Sequence, residues 1–113
     1  MKDATKIIDE VCELWGVTKE ELISKKRTLH LTLVRCMAIK HIRDSCGLSF
    51  PIIGKMFNRN HSTMMHYIKM YEAEYTYNVN FRNKANKIKK YTLDIRSEFE
   101  KELEQEYIEI AWQ

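Results

Sequence analysis

The sequence predicts an all-α fold, and three observations carry the prediction. One proline and three scattered glycines, Gly16, Gly47 and Gly54, leave few breakers in 113 residues. Apolar residues recur in steps of three or four along most of the chain, and no stretch alternates apolar and polar residues long enough to make a strand. The apolar fraction of 44% is enough to bury one compact core.

Each element has its own signals. A first helix from Ala4 to Trp15 puts Ile7, Ile8, Val11, Leu14 and Trp15 on one face and stops at Gly16. Thr18 with Glu21 three residues on is a capping box, opening a short helix through Leu22 and Ile23. Ser24 to Thr28 reads as a basic loop. A long helix from Leu29 to Cys46 follows, with Leu31, Val34, Ala38 and Ile42 for the core and Gly47 as its stop. Ser49 can cap a fourth helix with Pro51 in its first turn, where a missing N–H costs nothing, and Ile52, Ile53, Met56 and Phe57 facing inward. Asn58 to Asn60 make a tight turn. Asn60 can cap a fifth helix buried through Met64, Ile68 and Tyr71 or Tyr75. From Asn80 the positions Phe81, Ala85, Ile88, Tyr91, Ile95, Phe99, Leu103, Tyr107 and Ile110 form one long stripe. The expected organisation is a domain over residues 1–77 and a long amphipathic helix over 78–113.

Composition excludes several classes. No apolar run reaches the roughly 18 residues of a membrane span, and the acidic start MKDATKIIDEV is unlike a signal peptide, so a cytoplasmic protein is expected. Cys12, Cys36 and Cys46 are odd in number and form no C-x-x-C, which argues for small core residues over disulfides or zinc. His61 and His66 are five apart, whereas two metal ligands on a helical turn want three or four. No phosphate-cradling glycine loop and no nucleophile with its base can be picked out, so neither an enzyme nor a cofactor is expected.

Charge is more informative by position than in total. Between Lys25 and Lys69 there are nine basic residues against the single acid Asp44, while both ends of the chain are net acidic. That is the footprint of a polyanion-binding face. Within it, SFPIIGKMF, a short turn and HSTMMHYIKMY form a helix-turn-helix, with Gly54 where the two helices must approach closely. The second helix of such a motif presents its N-terminal residues to base edges in the major groove. Asn60, His61, Ser62 and Thr63 occupy that end, and Asn can pair with adenine while the Thr methyl meets thymine. The plainer reading is a capped helix start with solvated polar residues; the surrounding positive charge favours DNA. Lys25, Lys26 and Arg27 are either a solvated cluster or a loop that reaches phosphate or a minor groove. Arg35, Arg43, Lys55 and Arg59 extend the candidate face, and His66 is either a phosphate contact or a half-buried helix residue. Lys40 and Lys69 either extend that face too or are ordinary surface lysines, and the methionines, Met65 among them, read as core filler.

The run from Val11 to Tyr71 resembles the C-terminal DNA-binding domain of the bacterial replication initiators of the DnaA family. The matching pieces are ELISKKR, RCMAIKHIRD and LSFPIIGKMFNRNHSTMMH, and Arg59 to Thr63 with His66 follow the family stretch R-D-H-T-T-V-x-H. The resemblance implies a Trp-repressor-like helical fold and double-stranded DNA as partner. It implies a minor-groove role for Arg27 beside Lys25 and Lys26, and basic positions of the long helix against DNA for Arg35 and Arg43. It also implies a phosphate-touching helix start at Phe50 and Pro51, and base or phosphate contacts for His61, Ser62 and Thr63. Three departures stand out: FNRNH is one residue shorter than F-G-G-R-D-H, Asn60 replaces an acid, and Cys36 replaces Gln. Because Asp accepts from cytosine and Asn pairs with adenine, a target other than the family's AT-rich box is open to this chain. The family's AAA+ ATPase domain has no counterpart here, so a stand-alone module in replication or transcription control is expected.

A rival expectation rests on the helix from Asn80 to Ile110. Its basic first part and acidic second part suit antiparallel self-pairing in a homodimer or adaptor, or the helix folds back on its own domain.

Overall fold

The computed structural model describes residues 2–88, with side chains placed from Ala4 onward. In order come α1 (Lys2–Trp15), α2 (Lys19–Ile23), α3 (Leu29–Cys46), α4 (Phe50–Met56), a 3-10 turn (His61–Thr63) and α5 (Met64–Tyr77). Residues 79–88 are again helical and are called α6. The all-α class is as the sequence predicts, with no strand among the described residues. The rest of the expected long helix lies outside them.

The boundaries follow from local chemistry. Gly16 takes φ 67°, and its N–H donates to Glu13 O at 3.3 Å while that of Val17 reaches Cys12 O at 3.0 Å, which satisfies the last carbonyls of α1. The Thr18 hydroxyl accepts from the Glu21 N–H at 3.1 Å and the Glu21 carboxylate accepts from the Thr18 N–H at 3.2 Å, the capping box expected. Thr28 caps α3 by accepting from the Leu31 N–H at 3.3 Å, and Gly47 ends it at φ 62°. Ser49 precedes α4 without a side-chain cap bond. Asn78 starts α6, its Oδ1 accepting from the Phe81 N–H at 3.1 Å.

Helix α3 is the axis, packed between α1 and α5. Val34, Met37, Ala38 and Ile42 are buried in one cluster with Ile7, Ile8 and Val11 of α1 and Met64, Tyr67 and Tyr71 of α5, and Leu31 is also buried. Phe81, Ala85 and Ile88 of α6 join the same core. The Phe81 ring lies 6.0 Å from that of Trp15 and 5.4 Å from that of Tyr71, within the range of favourable aromatic pairing. Trp15 in turn donates its indole N–H to Met37 Sδ at 3.2 Å.

Some inward positions differ from expectation. Ile52 is 41% exposed, because seven-residue α4 turns only Ile53 and the following Phe57 fully inward. In α5, Tyr67 is buried and Ile68 only half-buried. Cys12 and Cys36 are buried and Cys46 is half-buried. Burial pushes the Cys36 thiol up to about 12, which leaves it an inert core group.

Candidate nucleic-acid interface

The helix-turn-helix is built on one turn. Phe57 ends α4, Asn58 takes φ 53°, its N–H donates to Lys55 O at 3.2 Å, and the Arg59 N–H donates to Gly54 O at 2.8 Å. This pair of bonds around a left-handed residue is a Schellman motif with asparagine in the usual glycine position. It makes the short turn FNRNH sufficient to reverse the chain. The tightness needs Gly54: a Cβ there would lie 2.7 Å from Arg59 O and 3.3 Å from the His61 N. Gly54 thus admits the backbone of the turn, which brings the start of the next helix against α4.

That start differs in detail from the single capped helix expected. Asn60 is extended and its Oδ1 accepts from the Ser62 N–H at 3.4 Å, but what it caps is the 3-10 turn His61–Thr63. The Thr63 N–H reaches Asn60 O at 3.1 Å and the Thr63 hydroxyl donates to the same oxygen at 2.7 Å, tightening the first turn before α5 begins at Met64. Capping uses one lone pair of Oδ1, so Asn60 keeps a second lone pair and its Nδ2 group for a ligand. Asn60, His61, Ser62, Thr63 and His66 are all exposed.

Met65 joins this face. It is 47% exposed whereas neighbouring Met64 is fully buried, which corrects the reading of Met65 as core filler. Lys69 is exposed one turn further on. The spacing of His61, Met65 and Lys69 by four was the available signal, obscured by counting methionines as interior residues.

Lys25, Lys26 and Arg27 are exposed in the loop between α2 and α3. Arg35 does not accompany them. It is 1% exposed, and its guanidinium donates to Leu22 O at 2.7 Å, Lys26 O at 2.7 Å, Ser24 O at 2.9 Å and Glu21 O at 3.3 Å. Arg35 therefore satisfies carbonyls left open at the end of α2 and holds the basic loop from within, a correction to its expected place against DNA. Burial, and then the positive charge of Arg59, push its pKa down. Arg59 is half-buried and donates to Ser24 O at 2.5 Å and Phe57 O at 3.0 Å, which ties the turn to the basic loop.

The remaining predicted residues gather at the start of α4. Exposed Arg43 donates to Leu48 O at 2.6 Å and lies 4.7 Å from the centre of the half-buried Phe50 ring, with exposed Pro51 next in sequence. Lys55 is exposed near the end of α4. Lys40 pairs with Asp44 at 3.3 Å.

Residues 4–70 match the family described as the bacterial dnaA protein helix-turn-helix. The chain belongs to this family. It is 34% identical over 67 residues to the chromosomal replication initiator protein DnaA of Pseudothermotoga lettingae, covering 59% of this chain and 15% of that protein. To the DnaA of Oleidesulfovibrio alaskensis it is 36% identical over 72 residues, 64% of this chain and 16% of the relative. A crystal structure of a DNA replication initiation factor is similar with a TM-score of 0.70 at 26% identity, over 82% of this chain and 29% of that one. The chain thus spans a small part of the length of these curated DnaA relatives. The matched segment runs from α1 into α5 and takes in the basic loop, the Schellman turn and the 3-10 start, so the candidate interface falls wholly inside the DnaA helix-turn-helix region.

Proposed function

We propose that the chain binds double-stranded DNA sequence-specifically, as a module acting in replication initiation or a related control step. The 3-10 turn His61–Thr63 and the start of α5 enter the major groove, and Arg27 with Lys25 and Lys26 enters the adjacent minor groove. The observation that carries this reading is the exposed row Asn60 to Thr63 standing on the Gly54 turn, inside a segment with nine basic residues and one acid. His61, Ser62, Asn60 and Met65 read base edges. Thr63, with its hydroxyl already turned to Asn60 O, keeps acceptor capacity and a methyl group. Arg43, Lys55, His66 and Lys69 meet phosphates, and Phe50 and Pro51 set the approach of α4. The chemistry is recognition without bond making.

Selection of bound duplexes from a random pool, followed by affinity measurements at several salt concentrations, tests the proposal. A selected duplex should bind at least about 10³-fold tighter than random duplex, with log K falling by about 0.9 per decade of salt for each phosphate neutralised. Equal affinity for every duplex would sink sequence-specific binding. His61→Ala should cost about 1–3 kcal/mol on the selected duplex and relax its sequence preference, whereas Lys26→Ala should weaken all duplexes alike.

A further inference from the structure

Two segments 35 positions apart in sequence meet at one atom: the Ser24 carbonyl oxygen accepts from Arg59 Nη2 at 2.5 Å and from Arg35 Nη2 at 2.9 Å. We propose that this junction is a positioning device that fixes Lys25, Lys26 and Arg27 in register with Asn60 to Thr63, so that loop and turn engage DNA as one rigid body. The role in DNA engagement rests on the reading under Proposed function; the rigid register does not.

The geometry is specific to its parts. The backbone of Arg59 is locked by its N–H bond to Gly54 O at 2.8 Å, and its carbonyl lies where a Gly54 Cβ would reach. Its side chain therefore starts from a fixed point and projects onto the loop. From the other side, Arg35 is anchored in the middle of α3 and spans from Glu21 O in α2 to Lys26 O in the loop. Among the described residues the one side-chain ion pair is Lys40 with Asp44, so no carboxylate of the described residues pairs with either guanidinium. The two cations repel, and the charge of Arg59 is among the causes that lower the pKa of Arg35. What holds them is charge-assisted bonding to carbonyls that a planar fork can reach and a single ammonium cannot. A cluster that keeps two like charges together at one oxygen sets a position at an electrostatic cost.

Backbone ¹⁵N relaxation on the full chain without DNA tests the register directly. Order parameters of residues 25–27 should be near about 0.85 in the wild type and fall clearly below that value in both Arg59→Ala and Arg59→Lys, with α3 unchanged. Loop order unaffected by Arg59→Ala, or fully restored by Arg59→Lys, would overturn the device. Duplex affinity supplies the second readout. Arg27→Ala should weaken the selected duplex about tenfold in the wild-type background but less than about twofold in Arg59→Ala, because a loop out of register gains little from its arginine. Equal factors in the two backgrounds would show independent contacts and overturn the joint engagement. If the wild type prefers no duplex, the DNA reading fails, and the order parameters alone decide for or against the junction.

Discussion

At the scale of single residues, neighbours in sequence do opposite things. Met64 is fully buried and Met65 is 47% exposed. Met64→Ala should therefore cost about 2–5 kcal/mol of stability, and Met65→Ala no more than about 0.5, measured by urea unfolding. Asn58 is the second informative position, because at φ 53° it occupies a conformation that asparagine tolerates and β-branched residues do not. Asn58→Gly should leave stability equal or raise it slightly, while Asn58→Val should lower it by at least about 1 kcal/mol in the same assay. Arg35 marks the limit of reading residues by type. A basic residue inside a basic segment reads as surface, and only the three-dimensional closure of the loop over α3 shows that its donors are committed to carbonyls.

At the scale of elements, stops and caps were legible and the phase of the recognition helix was not. Gly16, the Thr18 box, Gly47 and Pro51 act through local backbone chemistry within a few residues, so their effects follow from sequence alone. The 3-10 start at His61 depends on the turn before it being pulled under Gly54, a contact between segments. Within α5 the buried stripe runs Met64, Tyr67 and Tyr71, and Ile68, four residues after Met64, falls at its margin. The candidate row Asn60 to Thr63 was legible because position at a helix start is enough to define it. Gly54→Ala tests how far the turn controls the row. Helix propensity alone would favour alanine by about 1 kcal/mol. With a Cβ 2.7 Å from Arg59 O, the variant should instead be destabilised in thermal melts and bind the selected duplex more weakly, with its helical circular dichroism retained.

At the scale of the whole molecule, a titratable group in the core makes stability depend on pH. His41 is buried, its Nδ1 lies 2.8 Å from Met37 O, and its ring packs edge-on to Tyr71. Burial lowers its pKa, against smaller opposing contributions from the Met37 and Ala85 carbonyls and Asp44. The unfolded chain therefore binds a proton that the folded chain resists. Its contribution to stability is fully present above the ordinary histidine value of about 6.5 and is lost as pH falls through it toward the lowered folded value. Melts between pH 8 and pH 5 should show this loss in the wild type and a shallower one in His41→Gln.

The packing of α6 bears on how this protein is handled. Phe81 closes over the rings of Trp15 and Tyr71, and Ala85 and Ile88 extend the cover. A shortened version ending at Tyr77 would leave that aromatic floor open to water. Such a fragment should be prone to clumping through a surface that the longer chain keeps closed, and its apparent self-association would then report the cut and not the biology.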